Sequence, residues 1–398
     1  MASETGATHE LLEGLAQVTE TRREDWFATF KARHAMQVAL AAAARATGRN
    51  EAVTQLFTCV TAVDPIVAEG LVPRYADVSP RTLAADPALV HADHATLAVV
   101  DQHTFGIIDT AASLRLRDEA HAVGALLMED AAHCLGRMAR DADGNPIADL
   151  SIHSFGVEKM LPGVYFGGAV WVNPGLAEPV RAAICAAFEA LGEPPAALER
   201  AARRYRNQMR VFTRVPHGLS VALRSHAAAR GSFEPAVSEA EQRGRVSHAA
   251  SLPGEWVARQ ATNGLGTLAA NEENRRACVA AYLDGFAAAG ADEALGIPAA
   301  VREVASDQPL LRVPVFFRST ELASQAIAAV AAQGHYAQAW PRPLLLPGVL
   351  DAKAYGLQEG TGAWPVSERL SAGVVGLPTD IDPAAVPAVA QAMVELAR

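Results

Sequence analysis

The chain has 398 residues, half of them hydrophobic, with 34 Lys and Arg against 44 Asp and Glu and a net charge of −10. That suits one large domain plus a smaller one, and the acidic balance without a long basic run argues against a nucleic-acid binder. No apolar run reaches ~20 residues free of charge, Gly or Pro, so no membrane span is expected.

Met1 to Glu20 is acidic and polar and does not look like a signal peptide. Residues 22–47 read as one helix, with Trp26, Phe27, Phe30, Met36, Val38 and Leu40 among alanines and Gly48 as its stop. Val53 to Val60 and Leu71 to Val78 read as strands around a helical turn from Val63 to Ala68. Thr96 to Val100 is a further strand bounded by Asp101. Residues 111–123 read as a helix, and Gly124 precedes a strand from Ala125 to Met128. Strands alternating with helices imply βαβ units and a parallel sheet. Ligands collect at the carboxyl ends of such strands, where Asp130 and the Gln102-His103 pair fall.

Residues 169–172 form one more strand, closed by Asn173-Pro174. Residues 176–229 read as helical and arginine-rich, 230–255 as a loop or linker, and about 264–289 as one long helix. Beyond Gly290 come a strand over 310–316, a helix over 319–333, and a proline-rich stretch over 341–347. A short strand over 374–378 and a helix over 383–397 close the pattern. This divides the chain into a large domain over 1–255, N-terminal helix included, and a small α/β domain over 256–398. Four cysteines (Cys59, Cys134, Cys185, Cys278) lie far apart without CxxC spacing. They read as reduced, mostly buried thiols of a cytoplasmic protein, and no metal site is expected.

Lys159 carries the chemistry. It is one of three lysines, with Lys31 and Lys353, against 31 arginines. It ends the run Ser154-Phe155-Gly156-Val157-Glu158-Lys159 and is followed by Gly163 and Gly167-Gly168. Asp130 lies 29 residues upstream, in Glu129-Asp130-Ala131-Ala132-His133 after an apolar run. An acid at a strand's end followed by a lysine is what a pyridoxal phosphate enzyme needs. The amine forms the Schiff base, and the carboxylate keeps the pyridine nitrogen protonated so that the ring acts as an electron sink. Alone, the lysine usually reads as a solvated charge and the Asp often as a helix cap; the combination with Ser154 and the glycines is far more specific.

These segments resemble the DegT/StrS-type aminotransferases, fold type I pyridoxal phosphate enzymes that commonly aminate keto-sugar nucleotides. Phe57-Thr58-Cys59-Val60 and Gly70 to Val78 look like the family's first strand pair, and His103-Thr104-Phe105-Gly106 like its His-aromatic-Gly turn. Glu129 to His133 resembles its EDAAQ motif, and Ser154 to Lys159 with Gly167-Gly168 its Schiff-base segment. Pro365 to Leu370 and Leu377-Pro378 resemble its C-terminal signature. The implied fold is α/β, with a mostly parallel central sheet flanked by helices and a smaller α/β C-terminal domain.

The resemblance also implies roles. Lys159 would hold the cofactor and, once released, move the proton; its amine, ordinarily near pKa 10.4, must be lowered for that job. Asp130 would pair with the ring nitrogen. His133 replaces the usual Gln near the phenolic oxygen, Ser154 would bind the phosphate, and Cys59 stands where an aromatic often stacks. Arg259 falls where a partner subunit often reaches the phosphate, which implies a homodimer with shared sites. The family's Ser-Gly-Thr phosphate loop is replaced by Lys31-Ala32-Arg33-His34-Ala35-Met36. Arg33 there is either a phosphate fork or a helix-surface charge. The proline-rich stretch lacks the histidine usual in the sugar enzymes, which points to a different substrate pocket. The leading expectation is an aminotransferase moving an amino group from an amino acid to a keto-sugar or related carbonyl. The alternatives are another pyridoxal phosphate reaction on this fold (elimination, decarboxylation, racemisation or oxidation) or a non-catalytic cofactor-binding homologue.

Overall fold

Short β-branched or apolar runs punctuated by Gly and Asp set the strands, and alanine-rich amphipathic stretches set the helices that cover them. The computed structural model describes residues 5–357 and 363–398, so Met1 to Glu4 of the acidic N-terminal segment lie outside the described residues. In chain order the first half runs α1 (Gly6–Val18), β1 (Trp26–Thr29), α2 (Ala32–Thr47), β2 (Glu51–Thr54), α3 (Asp64–Ala68), β3 (Val72–Tyr75), β4 (Thr96–Gln102), α4 (Thr110–Ala122), β5 (Leu126–Asp130), β6 (Leu150–Ser154) and β7 (Gly168–Val172). The second half runs α5 (Glu178–Glu189), α6 (Ala196–Phe212), α7 (His217–Ala229), α8 (Glu255–Leu265), α9 (Leu268–Ala288), α10 (Ala299–Glu303), β8 (Arg312–Phe316), α11 (Thr320–Ala332), α12 (Pro365–Gly373), β9 (Val374–Pro378) and α13 (Val386–Ala397).

Among the described residues β1 to β7 form a seven-stranded sheet in the order β1-β7-β6-β5-β4-β2-β3. The β6-β5-β4-β2-β3 pairings are parallel, and β7 is antiparallel to both β6 and β1. This is the mostly parallel α/β sheet the sequence pattern implies. The inner strands β4, β6 and β7 are buried at every position, as expected for strands covered on both faces. A second, two-stranded antiparallel sheet joins β8 to β9 and is enclosed by a core of α9, α11 and α13.

Three sequence expectations are corrected. The helix read over 22–47 begins only at Ala32; Trp26–Thr29 is a strand paired with Gly168–Trp171. Tertiary packing overrides the helical pattern there: Trp26 is buried against α1, and Phe27 stacks on Phe188 of α5 at 5.1 Å. Gly48, at φ 74°, does end α2 as expected. The strand read over 53–60 is short and stops at Thr54, and that over 71–78 narrows to Val72–Tyr75. The long helix read over about 264–289 is α9, Leu268–Ala288, set off from α8 at Gly266-Thr267. The stretch read over 230–255 as a loop or linker is a loop, and it packs on the domain, with Phe233, Glu234, Glu241 and Ser251 buried. Helix α1 and strand β6 were not read from sequence.

The partition at 255/256 was an expectation, and the packing bears on it. Val257, Ala258, Ala261 and Leu265 of α8 pack with α1, Phe155 or Phe166, all on the large-sheet side. We therefore propose that the small domain starts at α9.

Candidate active site

Two glycines let the sheet and its neighbours close on one point. A Cβ on Gly168 would lie 2.2 Å from Ala32 Cα, so only glycine allows β7 to cross beneath the start of α2. Gly106, at φ 90°, would place a Cβ 2.8 Å from the His133 carbonyl oxygen. The carboxyl ends of β5 and β6, the start of α2, the 102–105 turn, the 154–167 loop and segments 233–239 and 338–347 then enclose a cavity of about 920 Å³. Its size fits the ~300–1,000 Å³ usual for small-molecule sites. Lys159, Asp130, His133, Ser154, Cys59 and Arg33 all line it; Arg259 does not.

Asp130 ends β5 and points into the cavity, whereas Glu129 points the other way. Glu129 accepts from Ser151 Oγ and the Ala139 N–H, and bonds His103 Nε2 at 2.7 Å. Period-two alternation along β5 thus separates a structural acid from a cavity acid. Among the described residues, only the Ala132 N–H bonds the Asp130 carboxylate, at 3.0 Å to Oδ1. Burial raises the Asp130 pKa, opposed by that N–H, Lys159 and His103. Lys159 follows Glu158, whose φ of 60° is left-handed and strained for a side chain of that size. Desolvation pushes the Lys159 amine below the usual lysine range, while Cys59, Asp130 and Glu158 push it back up.

His133 Nδ1 accepts the Phe105 N–H at 3.0 Å, and its ring meets Trp340 edge-on at 4.6 Å. Desolvation first, then Lys159 and Arg312, hold its pKa well below the usual histidine value. The neutral ring therefore carries its proton on Nε2. Ser154 Oγ accepts the Gly156 N–H at 3.2 Å, which leaves its own hydroxyl proton available. Cys59 packs beneath the proline-rich segment, its thiol 3.1 Å from the Leu346 carbonyl and 3.1 Å from Thr61 Oγ1.

Arg33 is at the rim but already engaged. Its Nη1 lies 2.5 Å from Glu241 Oε1, and its Nη2 donates to the Ala236 carbonyl at 2.6 Å. Lys31, which precedes α2, bonds Glu234 and lies 3.7 Å from Glu241. No side chain caps the first turn of α2. Arg259 sits on α8 with its side chain 66% exposed, bonded to Glu255 at 2.5 Å. Within one chain, then, the geometry brings Lys159, Asp130, His133, Ser154 and Cys59 to one cavity. It leaves Arg33 paired with a carboxylate and Arg259 away from the cavity.

Sequence reading missed the Lys31–Glu234–Glu241 group, Arg312 and Trp340. Arg312 had a visible signal: a lone charge inside the apolar run Leu310 to Phe316. Glu234 and Glu241 had none, because long-range pairing to α2 leaves no local pattern.

The model of the DegT/DnrJ/EryC1/StrS aminotransferase family matches residues 9–234, more than half of the chain. The chain belongs to that family. Solved structures share the fold. DesI, determined in the presence of its TDP-sugar product, is 22% identical, with a TM-score of 0.68 over 100% of this chain and 86% of that one. The aminotransferase TlmJ from Streptoalloteichus hindustanus is 18% identical, with a TM-score of 0.67 over 99% of this chain and 91% of that one. NtdA from Bacillus subtilis, with bound cofactor PMP, is 16% identical, with a TM-score of 0.67 over 100% and 77%. A curated relative, L-glutamine:2-deoxy-scyllo-inosose aminotransferase from Streptoalloteichus tenebrarius, is 31% identical over 130 residues. That match spans 32% of this chain and 30% of the relative.

The residues present fit the ring end of pyridoxal phosphate. A buried carboxylate, a neutral imidazole with a free N–H, and a lysine of lowered pKa face one cavity. The phosphate end has Ser154 and the uncapped start of α2. Among the described residues no group of three or more His, Cys, Asp or Glu could hold a metal ion, and no helix is long and apolar enough to cross a membrane.

Proposed function

We propose that this chain is a pyridoxal-phosphate-dependent aminotransferase that moves an amino group from an amino acid to a sugar-like or related carbonyl compound. The observation that carries the reading is the convergence of Lys159 and Asp130 on one cavity, where each shifts the other's ionisation. The bound cofactor supplies the electron sink. Asp130 holds a proton at the ring nitrogen, and His133 Nε2–H donates to the ring oxygen. Ser154 Oγ donates to the phosphate. The Lys159 amine, its pKa lowered by desolvation, is more often neutral at working pH and so accepts and returns the substrate proton. Trp340 and Phe105, packed edge to face at 5.3 Å, form an apolar part of the cavity wall.

The support for a carbonyl acceptor of the sugar or cyclitol class is family membership and the inosose aminotransferase match. Titrating the cofactor-loaded protein with amino acids tests the reaction. The visible cofactor band should fall as a shorter-wavelength band grows, and a carbonyl acceptor should reverse the change. No spectral change with any amino acid would favour a cofactor-binding protein without turnover.

The reading includes a cytoplasmic homodimer with shared sites: Arg259 lies outside its own cavity, exposed on α8 and held there only by a surface pair with Glu255. Mixed Lys159→Ala and Arg259→Ala proteins should then regain activity on subunit exchange. A monomeric mass, or no rescue despite proven exchange, would remove the shared site.

A further inference from the structure

One wall of the cavity comes from α6, α7 and the segment that follows them, none of which supplies a group to the cofactor chemistry. With the 154–167 loop it presents Val157, Tyr165, Tyr205, Met209, Ala228 and Phe233. Tyr205 stacks on Phe233, with 5.4 Å between centroids and 7° between planes, and Tyr165 is tilted against it at 5.2 Å. Rings and a thioether at one surface favour a flat apolar partner. Tyr205 is only 3% exposed, yet among the described residues its hydroxyl has no hydrogen-bond partner. The oxygen is not sealed off, so it opens on the cavity that the ring lines. Burial first, then Glu158, pushes the Tyr205 pKa up to about 12, so the phenol is neutral and can donate. A buried hydroxyl without a partner is costly unless a ligand fills it. The charges of the cavity say what that ligand lacks. Lys31, Arg33 and Arg312 are each paired with a carboxylate, and Lys159 is reserved for the cofactor. Among the described residues this leaves Arg224 as the one lining cation without a carboxylate, and it lies over Phe212, 5.7 Å from the ring centroid. The two phosphates of a nucleotide would therefore meet one free cation.

We propose that this wall is a subsite for a flat apolar ring of a non-nucleotide substrate, whose acceptor oxygen takes a hydrogen bond from the Tyr205 hydroxyl. Whether the amino donor or the carbonyl acceptor brings the ring rests on the aminotransferase reading; the subsite itself does not. Calorimetry on the cofactor-loaded protein tests it with unreactive probes. The 3- and 4-methoxybenzyl alcohols carry an ether oxygen, and the 3- and 4-ethylbenzyl alcohols do not. The better methoxy isomer should bind wild type about 2- to 10-fold more tightly than its ethyl counterpart, the range of one neutral hydrogen bond. Tyr205→Phe should abolish that advantage and leave the ethyl probes unchanged. Its melting temperature should stay level or rise, because the hydroxyl it loses has no protein partner. No advantage in wild type, an undiminished one in the variant, or a clear fall in melting temperature would overturn the proposal. Ala228→Leu, which narrows the same wall, should weaken all four probes, and unweakened binding would place the ring elsewhere. Thymidine diphosphate should stay within about 10-fold of thymidine, as one charged contact allows. A larger gain would overturn the exclusion of nucleotides.

Half-reactions identify the source. If the ring is the donor's, O-methyl-L-tyrosine should react faster than L-alanine in wild type, and that ratio should collapse in Tyr205→Phe. A ratio near one in both proteins assigns the ring to the carbonyl acceptor. Should no amino acid react at all, the aminotransferase reading fails, and the methoxy-to-ethyl ratio still judges the subsite.

Discussion

The Phe105 N–H donates to His133 Nδ1 at 3.0 Å, and this bond fixes what the histidine can offer the cavity. Phe105 adopts a left-handed φ of 59°, beside a glycine at 90°. With Nδ1 filled, the neutral imidazole has one donor left, Nε2–H. His133→Gln can keep both functions, since an amide has an acceptor and a donor. His133→Phe loses both and strands a buried N–H. We expect His133→Phe to weaken cofactor binding about 5- to 10-fold and to cost roughly 1–3 kcal/mol of stability, with His133→Gln close to wild type. Absorbance titration and urea unfolding measure the two effects. Equal behaviour of the two variants would contradict the donor role.

The three lysines differ sharply in surroundings. Lys31 is buried against Glu234, Lys353 is exposed, and Lys159 lines the cavity with a lowered pKa. Borohydride treatment of the cofactor-loaded protein, followed by peptide mapping, should label Lys159. Label at Lys31 or Lys353 would refute the assignment.

Asp130 has one backbone N–H and no cation bonded to it, so its carboxylate is free to hold a ring proton. Asp130→Asn keeps the shape and removes the charge. We expect the half-reaction to slow by at least about 100-fold, the lower range for a positioned proton-transfer group, with folding little changed. Stopped-flow absorbance reads the rate; near-normal turnover would make Asp130 structural.

The sequence announced this site unevenly, for physical reasons. Asp130 and Lys159 were legible because each follows a local signal: an apolar strand ending in an acid, and a rare lysine before paired glycines. Gly168 proved necessary through the close approach of Ala32, which no local pattern encodes. β1 was hidden because its strand character comes from pairing with the distant β7, Trp26 with Trp171 and Thr29 with Gly168. Arg33 was legible as a cation but not as a paired one, since Glu241 arrives from a segment that reads as linker.

That pairing makes a prediction about phosphate. Two cations at the start of α2, Lys31 and Arg33, face two acids, Glu234 and Glu241, so the local charge is balanced. Glu241→Gln leaves one positive charge in excess beside the cavity. Pyridoxal phosphate should then bind up to about 10-fold more tightly, while pyridoxal, which lacks the phosphate, should not. Thermal stability should fall, because the partly buried Arg33 charge loses its partner. An unchanged ratio of the two affinities would show that these cations do not sense the phosphate.

Asp64 completes that cluster and gives it a pH signature. It lies in the first turn of α3, where among the described residues its Oδ1 has no hydrogen-bond partner. Burial first, then the charge of Glu241, raises its pKa to about 7, against the pull of Arg33 and Lys31. A carboxyl whose folded pKa is raised favours the native state in its protonated form. Its contribution is fully present below the unfolded value, near 3.9, and is lost as pH climbs through about 7. Glu241, lowered from 4.5 to about 2, acts in the opposite sense: its contribution is present above 4.5 and is lost as pH falls from there through about 2, below the range in which Asp64 ionises in the fold. Asp64→Asn stays neutral at every pH. Relative to wild type it should gain roughly 2–4 kcal/mol between pH 4 and pH 8, nearly all of it between pH 4 and pH 7 and with a plateau above. Urea unfolding of both proteins at several pH values measures the difference. Parallel stability curves would mean that Asp64 ionises normally in the fold.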